Sequence, residues 1–503
     1  VTGWLADTFR ILWSASFWNA RKTVHRLRGG RDRAPCQVAS DSGRAHETAC
    51  EPALHYASPG RHRAACPLLV RRQDGSWICS AHSEDVRPFW ARGLLLLAGS
   101  GVLAYALGVL VVFGGLRGLG YDLAFRQVAW PPAWREFRAV QSRFHLERAR
   151  EARAQGRPEA ALLALSSAYE LNPRNYPAGI LLAQLWQGAQ AARSDALFSR
   201  LYEEHPEHRE QTAQTWYRAL LARGDFATIL LVAGDRLLAT ESAAPQTAPA
   251  SAAWTHAFLF AARRINDDDV FDRLLESPRF PAALRPLFTL ERALPTLPAE
   301  ERIRTLATAA EAASDSFTRL HLLRHLLAAD RPDLALPFLL RADPLLGDRE
   351  RVLLLLDALA RSRRTTERAN LFQQLLARPT HPALVELLCT HLIAHPDPES
   401  LAALAKRLAA EPLPADEAGL AARLAWFATC GVHADAPLLQ AAAEDLVSNG
   451  RRERRPLDLA AEAFLRARGG FRLEIILPLL QPLPLETTYA LYERTSPPRP
   501  FPR

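Results

Sequence analysis

Ser142–Asn175 reads SRFHLERAREARAQGRPEAALLALSSAYELNPRN, and these residues decide the fold class. Apolar and small side chains recur at three- and four-residue spacing on both sides of Gly156, the signature of two helices each with one buried stripe. Gly156 opens a turn between them, and Pro173 ends the second helix because it has no N–H to donate. Ala149, Ala161 and Ala168 are small enough to let the two helices approach closely. The stretch therefore predicts an antiparallel helical hairpin.

Its length is 34 residues. Counted from Ser142, the residues Ala149, Gly156, Ala161, Leu165, Ala168 and Pro173 stand where the tetratricopeptide repeat has its small, turn and closing positions, so the segment resembles that family. His145 departs from it, standing where the family has a large aromatic. Tyr176–Glu207 is a degenerate second unit in which Ala183 and Trp186 fit and Pro206 comes early. A third surrounds WYRALLARGDFATILLVAGDRLLA, with Gly224 at its turn. The resemblance implies an all-α helical-repeat solenoid whose hairpins bury their apolar faces on one another. It also implies a concave groove lined by the inner helices. Arg143, Arg150 and Arg153 would then face an acidic peptide or carboxylate terminus, unless they form a solvated face partly neutralised by Glu147 and Glu151.

Working outward, repeats are expected over 133–240. An Ala/Pro/Ser/Thr linker follows at 241–252, a second solenoid segment at 253–492 and a disordered Pro-rich tail at 493–503. Asp267, Asp268, Asp269 and Asp272 lack the alternating ligands, central Gly and distal Glu of a calcium loop and read as a helix-connecting turn. Cys389 and Cys430 lie in apolar helical runs and read as core thiols.

Towards the N-terminus, Gly93–Leu116 (GLLLLAGSGVLAYALGVLVVFGGL) carries no charge and is bracketed by Arg92 and Arg117. As a helix it extends about 36 Å, enough for a hydrocarbon core of about 30 Å. One transmembrane helix is therefore expected at 93–116, followed by a linker at 117–132. Ser100, Ala104 and Gly108 recur every four residues, a small-residue stripe that would allow a homodimer. Residues 1–92 hold 14 Lys/Arg against 8 Asp/Glu, which favours a cytoplasmic N-terminus and a periplasmic solenoid. In residues 1–33, Trp4, Leu5, Phe9, Leu12, Trp13 and Phe17 fall close to one helical stripe, with basic residues from Arg21 to Arg33 behind it. That helix either lies on an anionic membrane surface or packs on the small domain that follows.

That domain, 34–92, contains Cys36, Cys50, Cys66 and Cys79, with His46, His55, His62 and His82 nearby. Four thiols in a reducing compartment raise zinc as a cofactor. The gaps are long and no CxxC occurs; only Cys79-Ser-Ala-His82 has tight ligand spacing. CPLLVRRQDGSWICSA reads as a strand pair around Asp74-Gly75. A two-residue turn there sets Cys79 opposite Val70 and Cys66 opposite Ser83, too far apart to share one ion unless the hairpin turns earlier or a bulge intervenes. The candidate metal set is Cys36, Cys50, Cys66, Cys79 and His82, against four structural thiols in a small mixed domain.

The net charge of +8 across 503 residues hints at nucleic acid. Its distribution removes the hint: residues 93–503 balance 48 bases against 46 acids. The absence of methionine, and arginine at all basic positions but Lys22 and Lys406, suit a GC-rich bacterial genome with a non-ATG start, or a chain trimmed at its front. No GxSxG, HExxH or paired-carboxylate frame occurs, so no enzyme is expected. The function expected from sequence is a single-pass scaffold at the bacterial inner membrane, binding proteins or peptides through its solenoid and touching lipid. The alternative is a transmembrane thiol or metal sensor.

Overall fold

The computed structural model describes residues 2–29, 33–39, 48–188, 190–239, 248–265, 269–341, 345–450, 452–467 and 472–495. Helix accounts for 77% of the chain, so the all-α expectation holds outside one small sheet. The chain forms two compact units, residues 1–145 and 146–503.

The first unit starts with a helix over Thr2–Leu27. Its inner face is polar in an ordered way. The Asp7 carboxylate accepts the Ala57 and Ser58 N–H groups, both at 2.9 Å. Ser14 Oγ lies 2.8 Å from the Tyr56 hydroxyl. Asn19 accepts the Phe89 N–H at 2.9 Å and donates to the Phe89 carbonyl at 3.3 Å. These partners come from the small domain and the start of the next helix, so helix Thr2–Leu27 packs into that domain.

Four strands follow: β1 (Gln37–Ala39), β2 (Thr48–Cys50), β3 (Leu69–Arg71) and β4 (Trp77–Cys79). They pair antiparallel in the order β1-β2-β4-β3. The β3–β4 hairpin turns at Asp74-Gly75 as expected, with Gly75 at φ +88°. Its register differs by one residue, because Leu69 and not Val70 lies opposite Cys79. The reason is the loop. Arg72 donates to the Ser76 carbonyl, leaving the three residues Gln73, Asp74 and Gly75 as the turn. A third loop residue in the left-handed region is the usual bulged alternative to a two-residue turn.

The apolar helix runs over Trp90–Gly118, longer at both ends than the expected 93–116. Only 6% of its most apolar window is buried, which sets it apart from a core helix. Gly93 is required where the N-terminal helix crosses: a Cβ there would lie 2.7 Å from the Ala15 carbonyl oxygen. Residues 117–132 are not an open linker. A short helix over Phe125–Ala129 folds back along the apolar helix, with the rings of Phe113 and Phe125 at 5.6 Å. The Tyr105 hydroxyl donates to the Ala129 carbonyl at 2.6 Å. A 3-10 turn over Pro131–Glu136 follows.

In the second unit, helices pack on their sequence neighbours. The segment that set the fold class forms helices Phe137–Ala154 and Pro158–Leu171, the first beginning before the unit boundary. Gly156 turns between them at φ +67°, and Ala149, Ala161, Leu165 and Ala168 are buried. The expected linker at 241–252 is shortened by a helix that starts at Ala248 and packs on Phe226–Ala239; residues 240–247 lie outside the described residues. Asp267 and Asp268 also lie outside them. Asp269 opens helix Asp269–Glu276, and Asp272 pairs with Arg292 at 2.7 Å. Cys389 and Cys430 are free thiols with no exposed surface.

The chain end does not continue the row. Residues 473–480 return to helix Arg209–Arg223. A closing helix over Leu485–Thr495 then buries every residue from Thr487 to Tyr492. Helix thus reaches three residues into the segment expected to be a disordered tail, whose residues 496–503 lie outside the described residues. Tyr489 and Tyr217 join their hydroxyls, and the Tyr489 ring lies 4.4 Å from His256 and 4.7 Å from Phe260. The Tyr492 hydroxyl donates to the Leu221 carbonyl at 2.5 Å, and Arg494 donates to the Ile393 carbonyl at 3.3 Å. Arg324 reaches Glu486 at 3.4 Å. The closing helix therefore occupies the surface shared by helices Arg209–Arg223, Ala248–Ile265, Ser316–Ala328 and Pro382–Ala394.

Candidate functional site

Three of the four N-terminal thiols, Cys36, Cys50 and Cys66, lie around one buried lysine, with Cys79 beside Cys36 and Cys50. Cys36 immediately precedes β1, Cys50 ends β2, and their strands pair so that Cys50 lies opposite Gln37. Cys79 ends β4 and stands opposite both Thr48 and Leu69. Cys66 sits in the turn before β3, its N–H bonded to the His62 carbonyl at 2.9 Å. All four are buried and free. Into this group the N-terminal helix sends Lys22, 2% exposed, whose Nζ donates to Cys66 Sγ at 3.2 Å.

Electrostatics tie the members together. Burial pushes the Cys36 thiol up to about 11, against the nearby Lys22 ammonium. Burial likewise pushes Cys50 up to about 12, with Cys36, Cys66 and Cys79 adding to the rise. For Lys22 burial opposes the charged form, and the neighbouring Cys66, Cys36 and Cys50 outweigh it, so its pKa is raised. The pocket thus holds one cation among sulfurs, of which burial keeps Cys36 and Cys50 as protonated thiols.

His62 belongs to this pocket and was not singled out from the sequence. It is 2% exposed, lies within electrostatic reach of Lys22 and is held to about 4, chiefly by burial, so it is neutral. Its Nδ1 is buried without a hydrogen-bond partner. The signal was present as His62-x-x-x-Cys66, one helical turn. By contrast, His82 is exposed and stands just before the 3-10 turn Ser83–Asp85, and His46 lies outside the described residues.

Four thiols suit a soft tetrahedral ion in type and number. Their spacing is wider than a closed site needs, and Lys22 would have to withdraw from Cys66. Among the described residues, only Glu291, His321 and His325 bring three such ligand atoms all within 4.8 Å of one another. That group already contains its cation. Arg263 Nη2 lies 3.1 Å from both Glu291 oxygens, and His321 Nε2 and His325 Nε2 each lie 2.7 Å from Oε1. Burial alone would raise the Glu291 pKa; Arg263, His325 and His321 outweigh it and hold the carboxylate well below its usual range. His321 and His325 stand one helical turn apart, a pairing legible in HLLRH.

The expected partner-binding arginines are all exposed, with Arg150 paired to Glu147 at 2.7 Å. Ala104 and Gly108 of the small-residue stripe are exposed on the apolar helix, and Ser100 is half-buried. No family model, curated protein or solved structure matches this chain.

Proposed function

We propose that the chain is a single-pass scaffold of the bacterial inner membrane, with the thiol domain cytoplasmic and a tetratricopeptide-like solenoid periplasmic. The carrying observation is the succession of an apolar helix, with only 6% of its most apolar window buried, and helical hairpins beginning with Ser142–Asn175. The closing helix already fills the surface between Arg209–Arg223 and Pro382–Ala394. Partner binding therefore falls to the open faces of the first hairpins, where Arg150 and Arg153 are exposed. An acidic peptide suits them. The test is crosslinking of partners to the full chain in native membranes. Arg150→Glu with Arg153→Glu should lose those adducts while circular dichroism stays unchanged; retained adducts would refute the reading.

A second reading, a thiol or metal sensor, is favoured by the gathering of Cys36, Cys50 and Cys66 around Lys22, with Cys79 beside Cys36, in the domain that precedes the apolar helix. Zinc bound there would displace protons from the thiols and replace the Lys22 contact, with His62 beside it. Because Lys22 lies on the N-terminal helix, occupancy would reposition the helix that crosses Gly93.

A further inference from the structure

The N-terminal helix has a second face that its packing leaves uncovered. Its inner side is taken up by Asp7, Ile11, Ser14, Trp18 and Lys22, all buried. A quarter turn away, Ala15 and Asn19 meet Gly93, and Thr23 accepts the Trp90 indole N–H at 3.0 Å. On the remaining side stand Leu5, Phe9, Trp13, Phe17, Val24 and Leu27, exposed by 49, 72, 64, 37, 46 and 82%. At 100° per residue these lie within about a third of the circumference, opposite the inner face. The stripe runs nearly the whole 26-residue helix and carries no charge.

We propose that this stripe lies in the plane of the bilayer interface, as a monotopic helix clamping the thiol domain to the membrane at the point where the span begins. The inference rests on Trp90–Gly118 crossing the bilayer, and three observations carry it. First, the helix touches the apolar helix at Phe89, Trp90 and Gly93, the first turn of the span, so its axis sits at interfacial depth. Second, the charges that would forbid contact with lipid are turned away: Asp7 and Lys22 are both buried in the domain. Third, Arg10, Arg21 and Arg28 are exposed along one margin of the stripe, with the Arg21 guanidinium 5.3 Å from the Phe17 ring. Apolar residues flanked by arginines whose stems run along them suit an anionic headgroup layer better than a protein groove. Packing on the small domain holds for the inner face, and the proposal assigns the membrane surface to the outer one.

The test is photo-crosslinking in the full chain, reconstituted into vesicles containing anionic phospholipid. A photoreactive residue replaces Trp13 on the stripe, Val111 on the apolar helix, or Gln73 at the tip of the β3–β4 hairpin. All three positions are exposed, so none asks the fold to yield. The proposal expects lipid adducts by mass spectrometry at positions 13 and 111 and their loss at position 73. Lipid at 111 without lipid at 13 overturns the clamp and leaves the span standing. A protein adduct at position 13, whether a second copy or another chain, overturns it in favour of a protein interface. Lipid at neither 13 nor 111 removes both clamp and span, and lipid at 13 alone overturns the placement beside a span.

Discussion

In residues 146–503 one continuous apolar core runs from Leu146 to Tyr492. In residues 1–145 the buried apolar clusters are small: Trp18, Ala34, Cys36 and Val86 form one, and Cys50, Ala53 and Leu69 another. The array is held by accumulated burial, so each helix contributes a share. The N-terminal unit has too little core for that and relies on directed contacts: Asp7 on two backbone N–H groups, Asn19 on Phe89 and Lys22 among thiols. Small domains of this kind gain from a staple. On the two proposals above, the thiol pocket and the uncovered stripe of the N-terminal helix are the places where this one would accept it.

The contrast is broken most severely at the pocket. If zinc fills it, Cys50→Ser abolishes stoichiometric metal and unfolds the N-terminal unit alone, since structural zinc contributes on the order of 10 kcal/mol at neutral pH. Metal analysis with limited proteolysis reads both effects. Because the Cys36 and Cys50 thiols are raised to about 11 and about 12, uptake must release protons, so zinc binds more tightly as pH rises. Metal-free protein with a protease-resistant N-terminal unit would remove the zinc reading.

The opposite break is at the closing helix. Tyr489→Ala and Tyr492→Ala should each cost about 3–5 kcal/mol, measured by urea denaturation of the array, with the N-terminal unit untouched. This helix also shows where the sequence stops being legible. The hairpin turn at Gly156, the apolar helix and the Asp74-Gly75 turn were readable because each is set by neighbours within a few residues. LETTYALYERT looks like an ordinary amphipathic end. Its burial on all sides comes from partners such as Tyr217 and Leu221, some 270 positions away, which local periodicity does not register. The thiol pocket was half legible for the same reason. The cysteines were visible, but one extra loop residue shifted the register, and Lys22 enters from a different element.

Glu291→Gln sharpens the account of the array. It removes the carboxylate that Arg263, His321 and His325 share, and should cost about 2–3 kcal/mol, below the value for a sealed pair because Arg263 reaches solvent. The same cluster sets an acid dependence. Burial holds His321 to about 4, so between about 6.5 and about 4 the unfolded chain binds protons that the folded chain does not. Stability of the array therefore falls as pH drops through that window, and the urea midpoint should be lower at pH 4.5 than at pH 7. An unchanged midpoint would contradict the neutral state of these imidazoles.

Two glycines give smaller effects, one in each unit. Gly93→Leu drives a side chain into the Ala15 carbonyl and should cost about 1–3 kcal/mol, exposing the N-terminal helix to protease. Gly156→Ala forces a Cβ into φ +67° and should cost about 1 kcal/mol, seen as a lowered urea midpoint without change of helicity.

The central proposal is that Trp90–Gly118 crosses a bilayer with the thiol domain before it on one side and the helical array after it on the other, and protease protection in sealed right-side-out membrane vesicles tests it most directly. Added protease should digest residues 146–503 and leave the thiol domain protected until detergent is added. Digestion of both the thiol domain and the array before detergent, or protection of the array with loss of the thiol domain, would contradict the account.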